Sequence, residues 1–153
     1  MPAAAPPTMD DANMILRLYE LRREERLRAA REWYRTKFCP LSADDVKAIY
    51  QTPGEENTSF RMATTYWDMA CSFVANGILH PELFLQSGSE ALMIWSRVEE
   101  FVPRIRQEMG MPWFLSNIEK TIAMAPSAQE RLRLFRARLA AMREKAPKAA
   151  RPS

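Results

Sequence analysis

Between Thr58 and Ser87 the chain reads TSFRMATTYWDMACSFVANGILHPELFLQS, and this stretch leaves few choices of fold. Phe60, Ala63, Trp67, Ala70 and Val74 recur at three- and four-residue steps, with Tyr66 and Phe73 beside them. That spacing puts a broad apolar face on one helix. Asn76-Gly77 then supplies the left-handed residue that commonly ends a helix, and Pro81 suits the first turn of another. Such an element belongs to a core, and the remaining segments have to cover it.

The rest of the chain offers helices for that purpose. Glycine is scarce, at 4 of 153 residues, and alternating Val, Ile and Thr runs are missing, so strands are not expected. A chain of this length fits one domain that buries its core without staples. The pattern predicts a compact all-α bundle of four main helices with short connecting helices and a long N-terminal helix. A single helical domain is expected over residues 10–145. A disordered Ala- and Pro-rich leader (1–9) and a basic disordered tail (146–153) are expected to flank it.

In chain order, Asp10 or Asp11 is expected to cap a first helix that runs without interruption to about Lys37. Ile15, Leu18, Leu21, Leu27, Ala30, Trp33 and Tyr34 form its apolar stripe, crossed by the charges at Arg22, Arg23 and Arg26. At about 27 residues it would be roughly 40 Å long. Its charged first half is either a solvated face along the bundle or a projection available to another copy or a partner.

Pro40 breaks that helix, and Ser42 with Asp45 starts a short one through Tyr50. Gln51 to Asn57 is a turn, after which Asn57 or Thr58 opens the central helix. Ser89 and Glu90 begin a long helix with Leu92, Trp95, Val98, Phe101, Val102 and Ile105 inward. Pro103 predicts a kink inside it, where the bond to the Glu99 carbonyl is lost. Pro112 and Trp113 open another helix through about Met124. Ser127 with Glu130 reads as a capping box for the last, whose Leu132, Phe135, Leu139 and Met142 face one way.

Chemistry-bearing patterns are sparse. His80 is the only histidine, and Cys39, Cys71 and His80 come from separate segments without paired spacing, so no metal site is expected. A di-iron site of the helical kind needs two Glu-x-x-His steps, which one histidine cannot supply. His80 reads as a helix-start residue before Pro81. Cys71 lies on the apolar face, where a thiol is inert, and Cys39 has no placed activator. Neither Gly-rich phosphate motif occurs. Neither a catalytic residue nor a cofactor is expected. Asp68, at the edge of the central stripe, is read as one half of a buried ion pair, with Arg104 as its partner and Arg106 or Arg97 as alternatives. An enzyme, if there were one, would use Asp68.

Charge is uneven. From Ser127 onward eight Lys or Arg face two Glu, a balance of +6, so the preceding residues carry −3 of the formal +3. Arg131, Arg133, Arg136, Arg138 and Lys145 make the last helix basic and amphipathic. Such a helix can lie on an anionic membrane, dock on nucleic acid or bind an acidic protein, or simply complement the more acidic body. No apolar run reaches the roughly 20 residues of a membrane-spanning helix, and the N-terminus lacks the pattern of a secretory signal. Two thiols in a chain of this size point to a reducing cytoplasm.

The segments YWDMACSFVANGILHPELF and ALMIWSRVEEFVPRIRQEM resemble a family of small bacterial helical proteins known only as a domain of unknown function. The matching positions are Tyr66, Trp67, Asp68, Ala70, Gly77, Ile78, Leu79, Leu83 and Trp95, within about residues 57–120. The resemblance implies a helical fold and carries no activity. Members of that family often have an N-terminal membrane helix; here the charged segment from Arg22 to Arg35 stands instead.

Two functions follow as expectations. The first is a non-enzymatic interaction or accessory protein that binds a protein partner or itself through the first or last helix. The alternative is a peripheral binder of an anionic surface, membrane or nucleic acid, through the basic C-terminal helix.

Overall fold

The computed structural model describes residues 5–146. Among them the chain forms α1 (Met9–Leu21), α2 (Glu25–Thr36), α3 (Ala43–Gln51), α4 (Glu55–Ala75), α5 (Pro81–Gly88), α6 (Glu90–Val98), α7 (Val102–Glu108), α8 (Ser116–Met124) and α9 (Ala128–Glu144). The expected leader falls partly, and the expected tail almost wholly, outside the described residues.

The central element is α4. Its Phe60, Ala63, Ala70, Cys71 and Val74 are closed to solvent, and α8 and α2 pack on it most extensively, with α3 and α6 beside them. Fully burying a side chain such as Phe60 is worth about 1.5–3 kcal/mol, so this face dominates the core. Tyr34, Phe38, Tyr50, Phe60 and Phe114 form one aromatic chain, with successive centroids 4.6–6.5 Å apart. Every residue of α6 from Ala91 to Val98 is buried, and α9 lies across its outer side.

Local signals explain most boundaries. The Ser42 hydroxyl accepts from Asp45 N while the Asp45 carboxylate accepts from Ser42 N, a complete capping box for α3. Gly77, at φ +73°, ends α4 in the left-handed conformation, and the His80 imidazole Nδ1 accepts from Leu83 N at 3.2 Å as the cap of α5.

Six expectations need correction. The long N-terminal helix is two helices broken at Arg22–Glu24. The Glu24 carboxylate accepts from Arg26 N and Leu27 N (3.0 and 2.8 Å) and starts α2, while Arg31 donates to the Arg22 carbonyl at the end of α1 (3.2 Å). These side chains satisfy the groups that a helix end leaves open, so the break carries little cost. Leu21, expected inside the stripe, stands exposed at the end of α1. The cap of α1 is Thr8, in a capping box with Asp11.

Pro103 produces a full interruption rather than a kink. Helix α6 stops at Val98, and Pro103 sits in the first turn of α7, where its missing N–H leaves no bond unmade. Ser127 makes no capping bond to its own helix. Its N–H and hydroxyl instead donate to the Glu82 carboxylate (2.9 and 2.5 Å), and Glu130 pairs with Arg133. Pro112 and Trp113 lie in a turn, and α8 begins only at Ser116, after Leu115 in a left-handed conformation (φ +52°).

Candidate functional site

Asp68 and Arg104 do not meet. Asp68 Oδ1 accepts from the backbone N–H groups of Asn117 and Ile118, both at 3.1 Å, and Oδ2 accepts from the Asn117 side-chain amide at 2.9 Å. The carboxylate thus caps α8 from across the core, where the positive end of the helix dipole stabilises it. Arg104 pairs on the surface with Glu108 and Asp44 (2.6 and 3.1 Å). Arg106 grips the Phe114 carbonyl and Glu119. Arg97 is buried and donates to the Tyr34, Arg35 and Phe38 carbonyls at the end of α2. The expected cationic partner is replaced by a helix end.

Asp68 also borders a cleft of about 300 Å³ with Tyr50, Arg61, Met69, Met111 and the 63% exposed Trp113. Arg61 stacks on the Tyr50 ring at 4.2 Å, and Asp68 is committed to α8, so no acid–base pair forms there. Burial pushes the Cys71 thiol up to about 12, which leaves it protonated at neutral pH. Cys39 is half-buried and unpaired. Among the described residues no three His, Cys, Asp or Glu side chains gather as metal ligands.

The basic residues of the last helix divide. Arg131 donates to the Ser89 hydroxyl (2.6 Å), Arg133 pairs with Glu130 in its own helix, and Arg136 makes a two-pronged bond to Glu99 (2.6 and 2.8 Å). Arg143, which the sequence did not single out, joins Glu100 and the Pro40 carbonyl. The contacts of Arg131, Arg136 and Arg143 fasten α9 to the body. Arg138 rests 5.5 Å from the Phe135 ring, and neither it nor Lys145 has an acidic partner among the described residues.

At the other end, α1 is held along one side only. Its Asp11 accepts from His80 N at 2.8 Å, its Leu18 carbonyl accepts from the Tyr66 hydroxyl at 2.5 Å, and Arg22 donates to the Ser87 carbonyl at 3.2 Å. Hydrogen bonds from Thr8 and His80 hold the Asp11 carboxyl below its ordinary value. The opposite side presents Met9 and Leu16, which are 76% and 63% exposed, and Tyr19, 41% exposed, stands at its edge beside the groove between α1 and the body. Helical spacing places these three together, and the Arg22 and Arg23 guanidiniums stack on Tyr19 at 3.9 and 4.9 Å. Arg26, the third arginine singled out there, belongs to the first turn of α2 and gives its backbone N–H to Glu24. This apolar row was not legible, because an unbroken helix assigned only the inward stripe.

No helix among the described residues is long and apolar enough to cross a membrane. No curated protein and no solved structure matches the chain. A family model described as a domain of unknown function, DUF4760, matches residues 7–124, which takes in α1 through α8 and leaves α9 outside. With most of its length inside that model, the chain belongs to the DUF4760 family.

Proposed function

We propose that the protein is a non-enzymatic docking module that binds a protein partner, or a second copy of itself, through the outward face of α1. The observation that carries this reading is Met9 and Leu16, apolar and exposed on a helix whose other side is bonded to the body, with the part-exposed Tyr19 at their flank. Amphipathic arginines over an aromatic ring are the composition of an interface core, where Tyr and Arg are enriched. The absence of any assembled acid–base pair among the described residues supports a binding role. The two free thiols suit a cytoplasmic setting.

A second reading is a peripheral contact with an anionic surface, membrane or nucleic acid, through α9. Arg138 and Lys145, without an acidic partner among the described residues, favour it, while the engagement of Arg131, Arg133 and Arg136 with the protein itself reduces the charge left for a partner.

Sedimentation of the wild-type chain and of a Leu16→Glu/Tyr19→Ser variant, alone and with its cytoplasmic extract, separates the two. Docking through α1 gives a species heavier than 17.7 kDa that persists in high salt and disappears in the variant. Binding that falls steeply with ionic strength and ignores the variant supports α9 instead. A monomer under all conditions contradicts both.

A further inference from the structure

Between α2 and α9, with α6 as its floor, runs a cleft of about 390 Å³. This lies within the lower range of small-molecule sites, roughly 300–1,000 Å³. Its apolar surface comes from Met93 of α6 and from Phe135, Leu139 and Met142 of α9. Its charged lining is Arg35, Glu90, Arg97 and Arg138.

These charges do not cancel. Glu90 is engaged by Arg31 through two bonds (2.9 and 2.7 Å) and also accepts from the Trp67 indole. Arg35 is paired with Glu32. Arg97 is buried, donates to the Tyr34, Arg35 and Phe38 carbonyls and has no carboxylate partner among the described residues, while the Arg35 and Arg143 guanidiniums act on it with like charge. Arg138 rests on the Phe135 ring and has no acidic partner among the described residues. The cleft therefore keeps two guanidiniums without a carboxylate partner among the described residues, the buried Arg97 and the exposed Arg138. Buried charges are ordinarily paired, and a guanidinium is shaped for carboxylate or phosphate oxygens.

We propose that this cleft binds a single-chain anionic amphiphile, with its carboxylate or phosphate head against Arg138 and Arg97 and its aliphatic chain over Met93, Leu139 and Met142. The flexible thioethers of the two methionines accommodate a chain without fixed shape. Because α9 lies outside the family model, half of this site is built by the segment that the match leaves out. The site is separate from the α1 face and does not depend on it.

Calorimetric titration with decanoate, decyl phosphate, decyltrimethylammonium and inorganic phosphate, each below its micelle concentration, tests the assignment. Both decyl anions are expected to bind saturably at one equivalent, with the ammonium and inorganic phosphate at least tenfold weaker. Arg138→Glu and Met142→Trp, each checked by circular dichroism and melting, are expected to weaken decanoate at least tenfold. Leu16→Glu is expected to leave it unchanged. Unsaturable uptake, equal affinity for the ammonium, or an Arg138→Glu chain that binds as the wild type does would overturn it.

Discussion

Tyr34 and Arg97 lock α2 to α6 in both directions. The Tyr34 hydroxyl donates to the Ile94 carbonyl at 2.8 Å, and one turn further along α6 the Arg97 guanidinium donates back to the Tyr34 carbonyl at 2.8 Å. Burial pushes the Tyr34 phenol well above its ordinary value, so the hydroxyl stays a donor throughout the working pH range. Arg97 also closes the Arg35 carbonyl, which α2 leaves open at its end, and the Phe38 carbonyl just beyond it. Tyr34→Phe is expected to lower the unfolding free energy by about 1 kcal/mol, the net worth of one neutral hydrogen bond. Arg97→Met should lower it by about 3 kcal/mol or more, because several buried carbonyls lose charged donors together. Urea unfolding of the two variants measures the difference.

The Asp68 cap makes a contrasting prediction. Asp68→Ala is expected to cost about 1–2 kcal/mol, as the loss of a helix N-cap does. Combined with Arg104→Ala the effects should add, since the two side chains share no partner. A coupling energy above about 0.5 kcal/mol in the double-mutant cycle would restore the ion pair that the geometry excludes.

Acid should act on the α1 anchor. The Asp11 carboxyl lies below its ordinary value near 3.8, held there by hydrogen bonds from Thr8 and His80 N. The unfolded chain therefore binds the proton first, and stability falls as pH drops below about 4 and through the lower native value. Asp11→Asn is expected to lower the melting temperature at pH 7 and to flatten its dependence between about pH 4 and the folded value. Melting curves of both chains across that window check the slope.

Attachment of α9 rests on a narrow apolar stripe. Leu132 is buried against the body, whereas Leu134, two residues on, is half exposed. Leu132→Ala is expected to cost about 2–4 kcal/mol, and Leu134→Ala less than about 0.5 kcal/mol. The same series in high salt should change little. The Arg136–Glu99 pair is partly solvated, and such pairs contribute about 0–1 kcal/mol each.

Much of this architecture was legible in the residues. The apolar steps from Phe60 to Val74, the Ser42–Asp45 box, Gly77 and His80-Pro81 are local signals, and the all-helical fold follows from them. What was hidden is set by groups far apart in the chain. The break at Arg22–Glu24 lies among good helix formers, with neither proline nor glycine, and exists because Glu24 and Arg31 meet the open backbone groups. Ser127 carries a sound local capping pattern, yet Glu82, 45 residues away, takes its donors. Asp68 gave its need for a partner but not the identity, since Asn117 reaches it only across the packed core. The outward row on α1 was concealed by the same unbroken helix, and the cleft beside Arg138 needs three helices to exist.

The most direct test of docking through α1 is site-specific photocrosslinking in living cells, with a benzophenone side chain at Leu16 and a control at Arg138. The α1 account predicts one discrete adduct from position 16, to a second copy or to one protein, and none of that mass from position 138. No adduct at position 16, together with a discrete adduct at 138, would contradict it.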